Sequence, residues 1–187
     1  MGKTGYTPDH WTELVIDAIV IPREADWSIT ETKKPRKVAT LEENINGTMR
    51  AMYGVNPANR MKFDFSWSCS QGRYAPAIDD SGWAGTPINA VPITPFRQKI
   101  LAGNTTVNLI RPVWSNTLVL FDDLLGSVLV GGTDYNVNGQ AVTLSAARTG
   151  RVICVYRAQL AMMVDDWSIT NDERQCLCSW DLSAKEV

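Results

Sequence analysis

The run Lys62-Phe63-Asp64-Phe65-Ser66-Trp67-Ser68 alternates polar and aromatic residues without a break. A strand places successive side chains on opposite faces, so Phe63, Phe65 and Trp67 share one face and Asp64, Ser66 and Ser68 the other. A strand with one aromatic and one wet face belongs to an antiparallel sheet whose dry side lies on a core. Upstream, Asn46-Gly47 is a turn signal, since both residues tolerate positive φ. Arg60 and Lys62 precede the aromatic run.

The same pattern returns near the other end. Asp166-Trp167-Ser168-Ile169-Thr170 repeats Asp26-Trp27-Ser28-Ile29-Thr30 residue for residue, and Ser66-Trp67-Ser68 is echoed by Ser179-Trp180-Asp181. Two similar hairpins in one sheet system are the expectation, with Trp27, Phe63, Phe65, Trp67, Trp167 and Trp180 as core or interface anchors. Sugar-stacking platforms are the other use of a chain with 7 tryptophans. Their repeated strand positions favour anchors.

Between the two copies lies a second readable unit, residues 105–157. Thr105–Trp114 and Asn116–Val130 read as strands, the latter broken near Asp122-Asp123. Asn138-Gly139 separates two alternating runs, the strongest short hairpin signal in the chain. Gly150–Tyr156 alternates again. Trp11–Pro22 is rich in β-branched residues and reads as a strand that Pro22 ends. Asp26–Thr30 begins another. Residues 69–96 read as a long connection rich in Gly and Pro, which is unusual unless it packs on something. Thr94–Leu101 reads as a short helix, with Pro95 at its first position and Phe96 and Ile100 on one face at i, i+4. The expected architecture is therefore mainly β: an antiparallel sandwich or rolled sheet with one short helix and an inserted small β domain. Residues 1–10 form an arm, 11–104 plus 158–187 the main domain, and 105–157 the insertion.

The chemistry-bearing residues are sparse. The 187 residues hold one histidine, His10, which removes most candidate catalytic bases and imidazole ligands. A net charge of −2 argues against nucleic acid as the main partner. At 44% hydrophobic and 20% charged, the chain is globular in composition. Cys176 and Cys178 share a strand face, but no second pair has metal-ligand spacing, so free thiols in a reducing cytosol are expected for these and for Cys69 and Cys154. A cross-strand disulfide stays open. Asp79/Asp80, Asp122/Asp123 and Asp165/Asp166 are sequence neighbours, which point to opposite strand faces and do not by themselves build an acid–base dyad. Asp79–Trp83 lacks the oxygen-ligand spacing of a calcium loop. No catalytic, metal or cofactor residue is assigned, and no enzymatic role is expected. No apolar run is long enough for a membrane helix, and the start MGKTGYTPDHW lacks the apolar segment of a signal peptide. Lys33-Lys34-Pro35-Arg36-Lys37 reads as a basic turn, either solvated or touching an acidic neighbour or DNA.

The Asn-Gly-Thr-Met-Arg turn followed by the aromatic strand ending in Ser-Trp-Ser resembles the small tail proteins of long-tailed bacteriophages, the tail-tube and distal-tail proteins. Residues 131–156, with Gly-Thr-Asp-Tyr, Asn-Gly and a strand ending Val-Tyr, resemble a small β module of phage tail and fibre proteins. Trp180–Val187 is similar to the closing strand of such tail proteins. The resemblance implies a structural subunit that forms a ring, six-fold most often, at the tail tip or along the tube, with a distal-tail role favoured. It implies self-association, contact with other tail proteins, DNA passing through a lumen, and a place in the virion after synthesis in the bacterial cytoplasm. Lys33, Lys34, Arg36 and Lys37 would then serve an inter-subunit or lumen surface. Two other classes remain: a receptor- or carbohydrate-binding tail-tip module and a cell-wall hydrolase.

Overall fold

The computed structural model describes residues 13–17, 19–21, 29–36, 39–43, 49–53, 62–72, 84–172, 175 and 177–187. Among these the chain is mainly β, with antiparallel ladders and no helix. The arm at 1–10, the Asn46-Gly47 turn, the loop at 54–60 and all of 73–83 lie outside the described residues. The chain divides into two compact units. One comprises Met1–Ile21 with Asn89–Leu160, the other Pro22–Ile88 with Ala161–Val187.

The second unit is built on β3 (Thr30–Pro35), β6 (Phe63–Gly72), β15 (Leu160–Asp172) and β16 (Leu177–Glu186). They lie in the order β15-β16-β6-β3. The aromatic alternation behaves as its period requires: Phe65 and Trp67 are buried, Phe63 is half-buried and Ser66 is exposed. On β16, Cys178, Trp180, Leu182 and Ala184 are buried in turn. Register joins the two dry stripes, with Trp67 opposite Leu182 and Trp180 opposite Cys69. Exchanging the strands exchanges those two pairs, so β6 and β16 are related locally by a two-fold axis. The flanking strands follow: Thr30 faces Ser68, one past Trp67, and Thr170 faces Ser179, one before Trp180. The two flanks thus differ by two residues of register, which keeps each side chain on its face; a slip of one would invert it.

Parity changes once along β15. Met162 and Val164 are buried at even positions, while Trp167 meets Leu182 from an odd one. A bulge between Val164 and Asp166 makes the switch, with Asp165 as the extra residue. Trp167 then tilts against Trp180 at 5.9 Å between centroids, and Phe65 stacks on Trp67 at 5.6 Å. Lys33 and Lys34 belong to strand β3 and not to a loop. The basic run reads as a turn because of Pro35, yet an edge strand tolerates proline, whose missing N–H need not serve a ladder. A two-stranded ribbon, β4 (Ala39–Glu43) with β5 (Met49–Tyr53), also belongs to this unit.

The first unit contains a four-stranded and a three-stranded sheet. The larger runs β11 (Ser127–Val128), β10 (Val119–Asp122), β14 (Val152–Tyr156), β8 (Phe96–Ile100). The smaller runs β12 (Tyr135–Asn138), β13 (Ala141–Leu144), β9 (Thr106–Asn108). The helix expected over Thr94–Leu101 is strand β8. Phe96 and Ile100 are buried while Arg97 and Lys99 are exposed, a period of two. A spacing of four fits both a helical turn and two strand repeats, so it could not discriminate; pairing along β14 decides. Likewise the tail of the expected 69–96 connection is β7 (Pro87–Val91), with Ile88 and Ala90 buried and proline at its first position. Trp11–Pro22 holds a tight hairpin of β1 (Val15–Ile16) and β2 (Ile19–Val20), turned through Asp17 at φ 48°. The hairpin read at Asn138-Gly139 is present one residue on: Asn138 pairs Ala141, so Gly139-Gln140 form the turn. Gly139 takes φ 61°, as the first central residue of a II′ turn does.

Arg157 ties the start of this unit to its interior. It is fully buried and donates to the carbonyls of Val91 and Pro92, each at 2.9 Å, and to that of Glu13. Thr117 hydroxyl accepts from Arg157 N–H at 3.2 Å and donates to Trp114 carbonyl at 2.6 Å.

Replacing Trp180 by alanine opens a cavity in the shared dry stripe and should cost about 3–5 kcal/mol. Hydrogen exchange of the slowest β6 and β16 amides measures it; a loss below about 1 kcal/mol would contradict the packing described.

Candidate functional site

The outer face of β15-β16-β6-β3 is a grid set by register. Its rows are Thr30–Ser68–Asp181–Ser168, Thr32–Ser66–Ser183–Asp166 and Lys34–Asp64–Lys185–Met163. Met163 is the single apolar member. Most of these side chains are exposed, with Asp64, Ser68 and Ser183 half-buried. Two cations face three carboxylates, and hydroxyls fill the middle. Small hydroxyl side chains keep the two rows of Thr, Ser and Asp low and wet, while Met163 and Lys185 of the third row border a depression.

The opposite face holds the expected anchors. Phe65, Trp67 and Trp180 are buried, and Phe63 and Trp167 half-buried. Trp27 and Lys37 lie outside the described residues. No tryptophan is exposed among the described residues, so none of those offers a stacking platform. The edge strand turns two charges inward. Trp67 Nε1 donates to Glu31 Oε2 at 2.7 Å, and Lys33 Nζ stands 4.6 Å from the Phe63 ring centroid. Inward charges together with Pro35 make β3 a poor template for a further strand. Lys34 is exposed. Arg36 bonds Asp64 at 3.0 Å and the Glu186 carbonyl at 2.9 Å. Of the basic run, Lys33 and Arg36 thus make contacts within the fold.

Where β3, β6, β15 and β16 approach Ala84-Gly85, a depression of about 510 Å³ is lined by Arg36, Lys62, Lys185, Ala84, Met163 and Val164 among others. Lys185 pairs Asp165 at 2.6 Å, and Glu186 Oε2 accepts from Phe63 N–H at 2.9 Å. Gly85 takes φ 84° and donates to Val164 carbonyl at 2.8 Å. Among the described residues Lys62 has no ion-pair partner.

Asp79 and Asp80 lie outside the described residues, and the other two carboxylate pairs are spent structurally. Asp122 is buried and its Oδ1 accepts from Leu124 and Leu125 N–H at 3.0 Å each, while Asp123 pairs Arg151 at 2.9 Å. Asp166 Oδ1 accepts from the N–H of Trp167 at 2.9 Å. Among the described residues no three His, Cys, Asp or Glu side chains gather as a metal site. Cys69, Cys154 and Cys178 are buried free thiols; Cys176 lies outside the described residues. Burial pushes the Cys154 thiol up to about 11, so it stays protonated and unreactive near neutrality. Burial raises Cys178 as well, and nearby Cys69 adds to it.

Sequence reasoning passed over one feature, the tip between β10 and β11. Leu124 and Leu125 are 67% and 68% exposed on a turn closed by Gly126. The visible signal is a leucine pair where Asp-Asp and Gly mark a turn. Compared with protein-family models and with curated proteins, the chain matches none.

The Cys154 shift has a sign. The unfolded thiol ionises near its ordinary 9.0 while the folded one holds its proton to about 11, so stability is undiminished below pH 9.0 and falls as pH rises toward 11. Tyr135 and Tyr156, raised above 10.0 mainly by burial, act the same way at higher pH. Thermal melts from pH 8 to 11 should show a shallower decline for Cys154→Ala than for the wild type. Parallel curves would refute the assignment.

Proposed function

We propose that the protein is a structural subunit of a bacteriophage tail, acting by assembling into a ring at the tail tip or along the tube. The observation that carries this reading is a face of twelve positions, eleven of them polar, backed by an aromatic one. A ring of such sheets presents a smooth hydroxyl-bearing wall to its lumen, suited to a polymer that must slide and not stick. A net excess of one carboxylate on that face favours passage of DNA over capture, because phosphate binding needs clustered cations. Among the described residues the three thiols are buried and Asp122, Asp123, Asp165 and Asp166 hold structural bonds, which supports a scaffold reading.

The same reading is supported by the resemblance of residues 131–156 to small β modules of tail and fibre proteins. Its partners are further copies of this chain, neighbouring tail proteins and DNA in the lumen. Its place is the virion. No helix among the described residues is long and apolar enough to cross a membrane.

The inward charges of β3 bear on how a ring would close. Joining copies by adding strands to that edge is disfavoured, so side-chain contacts between surfaces carry the assembly.

Mass photometry and negative-stain microscopy of the purified chain across rising concentration test the proposal. Closed rings with one subunit number are expected, six being the favoured count. A chain that stays monomeric at high concentration, alone and with other tail proteins, would overturn it.

A further inference from the structure

The tip between β10 and β11 is built to hold two leucines in water. Asp122 spends one carboxylate oxygen on the N–H groups of both Leu124 and Leu125, and its carbonyl accepts from Gly126 N–H at 2.9 Å. Asp123 N–H donates to Arg151 carbonyl at 2.9 Å, and its carboxylate pairs the same residue's guanidinium. Gly150 lies tight beneath the turn: a Cβ there would stand 2.6 Å from Leu124 Cβ. At the end of β11 and just beyond it, Val128 and Val130 are 56% and 60% exposed. A rigid convex apolar tip loses little freedom on binding, which is what an interface anchor needs. A run of exposed apolar side chains on one segment marks an interaction surface.

The same chain carries a fitting receptor. The depression of about 510 Å³ is lined by the apolar Ala84, Met163 and Val164, by the cations Arg36, Lys62 and Lys185, and by the carboxylates Asp165 and Glu186. Arg36 and Lys185 already hold carboxylates, whereas Lys62 has no ion-pair partner among the described residues. Asp123 stands beside the leucines, 38% exposed, and would bring a carboxylate to Lys62. Two tips meeting each other would oppose Asp123–Arg151 pairs and leave Lys62 unanswered, so a self-symmetric contact is the poorer match.

We propose that Leu124 and Leu125 of one copy seat in the Arg36–Lys62–Lys185 depression of the next, with Asp123 reaching Lys62. Tip and receptor are different patches, so the contact is heterologous and runs head to tail; such contacts close into rings when the rotation permits. The proposal rests on the ring reading above and names the surface that would join its subunits.

The test is cross-linking of the full chain in a Cys176→Ser background, the remaining thiols being buried. Leu124→Cys and Met163→Cys chains are prepared separately, mixed and mildly oxidised. Covalent dimers are expected in the mixture and not in either chain alone. Dimers from Leu124→Cys alone would mean a self-symmetric contact and overturn the proposal. Rings in the microscope without mixed cross-links would also overturn it while leaving the ring reading intact. Mixed cross-links with open filaments in place of rings would uphold the contact and sink the ring reading. Neither rings nor cross-links would remove both. As a second measurement, L124D/L125D should weaken self-association by about 100-fold. Lys62→Glu should weaken it by about tenfold, with Asp123→Lys in the same chain restoring it; no restoration would exclude the ion pair.

Discussion

The cross-strand layer of Trp67, Leu182, Trp180 and Cys69 is the constraint on which the second unit depends. Two fully buried indoles on adjacent strands bring the dry faces of β6 and β16 together. Once that register is fixed, every other side chain of the four strands is assigned to a face. The bulge at Asp165 follows from it, since without an extra residue Trp167 would leave the layer. So does the inward turn of Glu31, whose carboxylate satisfies the Trp67 indole N–H that burial would otherwise leave unpaired. The hydroxyl-rich outer face is the other half of the same alternation: dryness on one side is what frees the other for Ser, Thr and Asp.

The first unit is stabilised differently. Its core is assembled from short strands, with Leu120 opposite Cys154 and Val152 opposite Ile100 in one sheet, and Tyr135 opposite Leu144 in the other. Arg157 does there what no hydrophobe could. A buried guanidinium offers several donors at once, and here it meets backbone carbonyls. Irregular backbone near Glu13, Val91 and Pro92 gains its hydrogen bonds that way.

Much of this could be read in advance, and the parts that could not have physical reasons. Period-two alternation announced β6, β13, β14 and β16, because burial on one side leaves an unambiguous pattern. The repeated Asp-Trp-Ser-Ile-Thr pointed to paired flanks, although the Asp26–Ser28 copy lies outside the described residues. Phe96 to Ile100 was ambiguous because a spacing of four serves either periodicity, and only pairing with a distant strand resolves it. Lys33 looked like a loop residue since charge usually means solvent; an edge strand instead folds that charge over an aromatic ring. The depression at Lys62 joins residues more than a hundred positions apart, which no local pattern can show. The leucine tip was visible in sequence as letters, but its significance lies in exposure.

The dry aromatic layer is complete within a single copy of the chain, where Trp67 and Trp180 are fully buried. Hydroxyl-radical footprinting of the dilute monomer, read by mass spectrometry residue by residue, tests that most directly. Trp67 and Trp180 should be protected to the level of a folded core while Leu124 and Leu125 oxidise freely. Oxidation of Trp67 and Trp180 at the rate of the unfolded chain would contradict it.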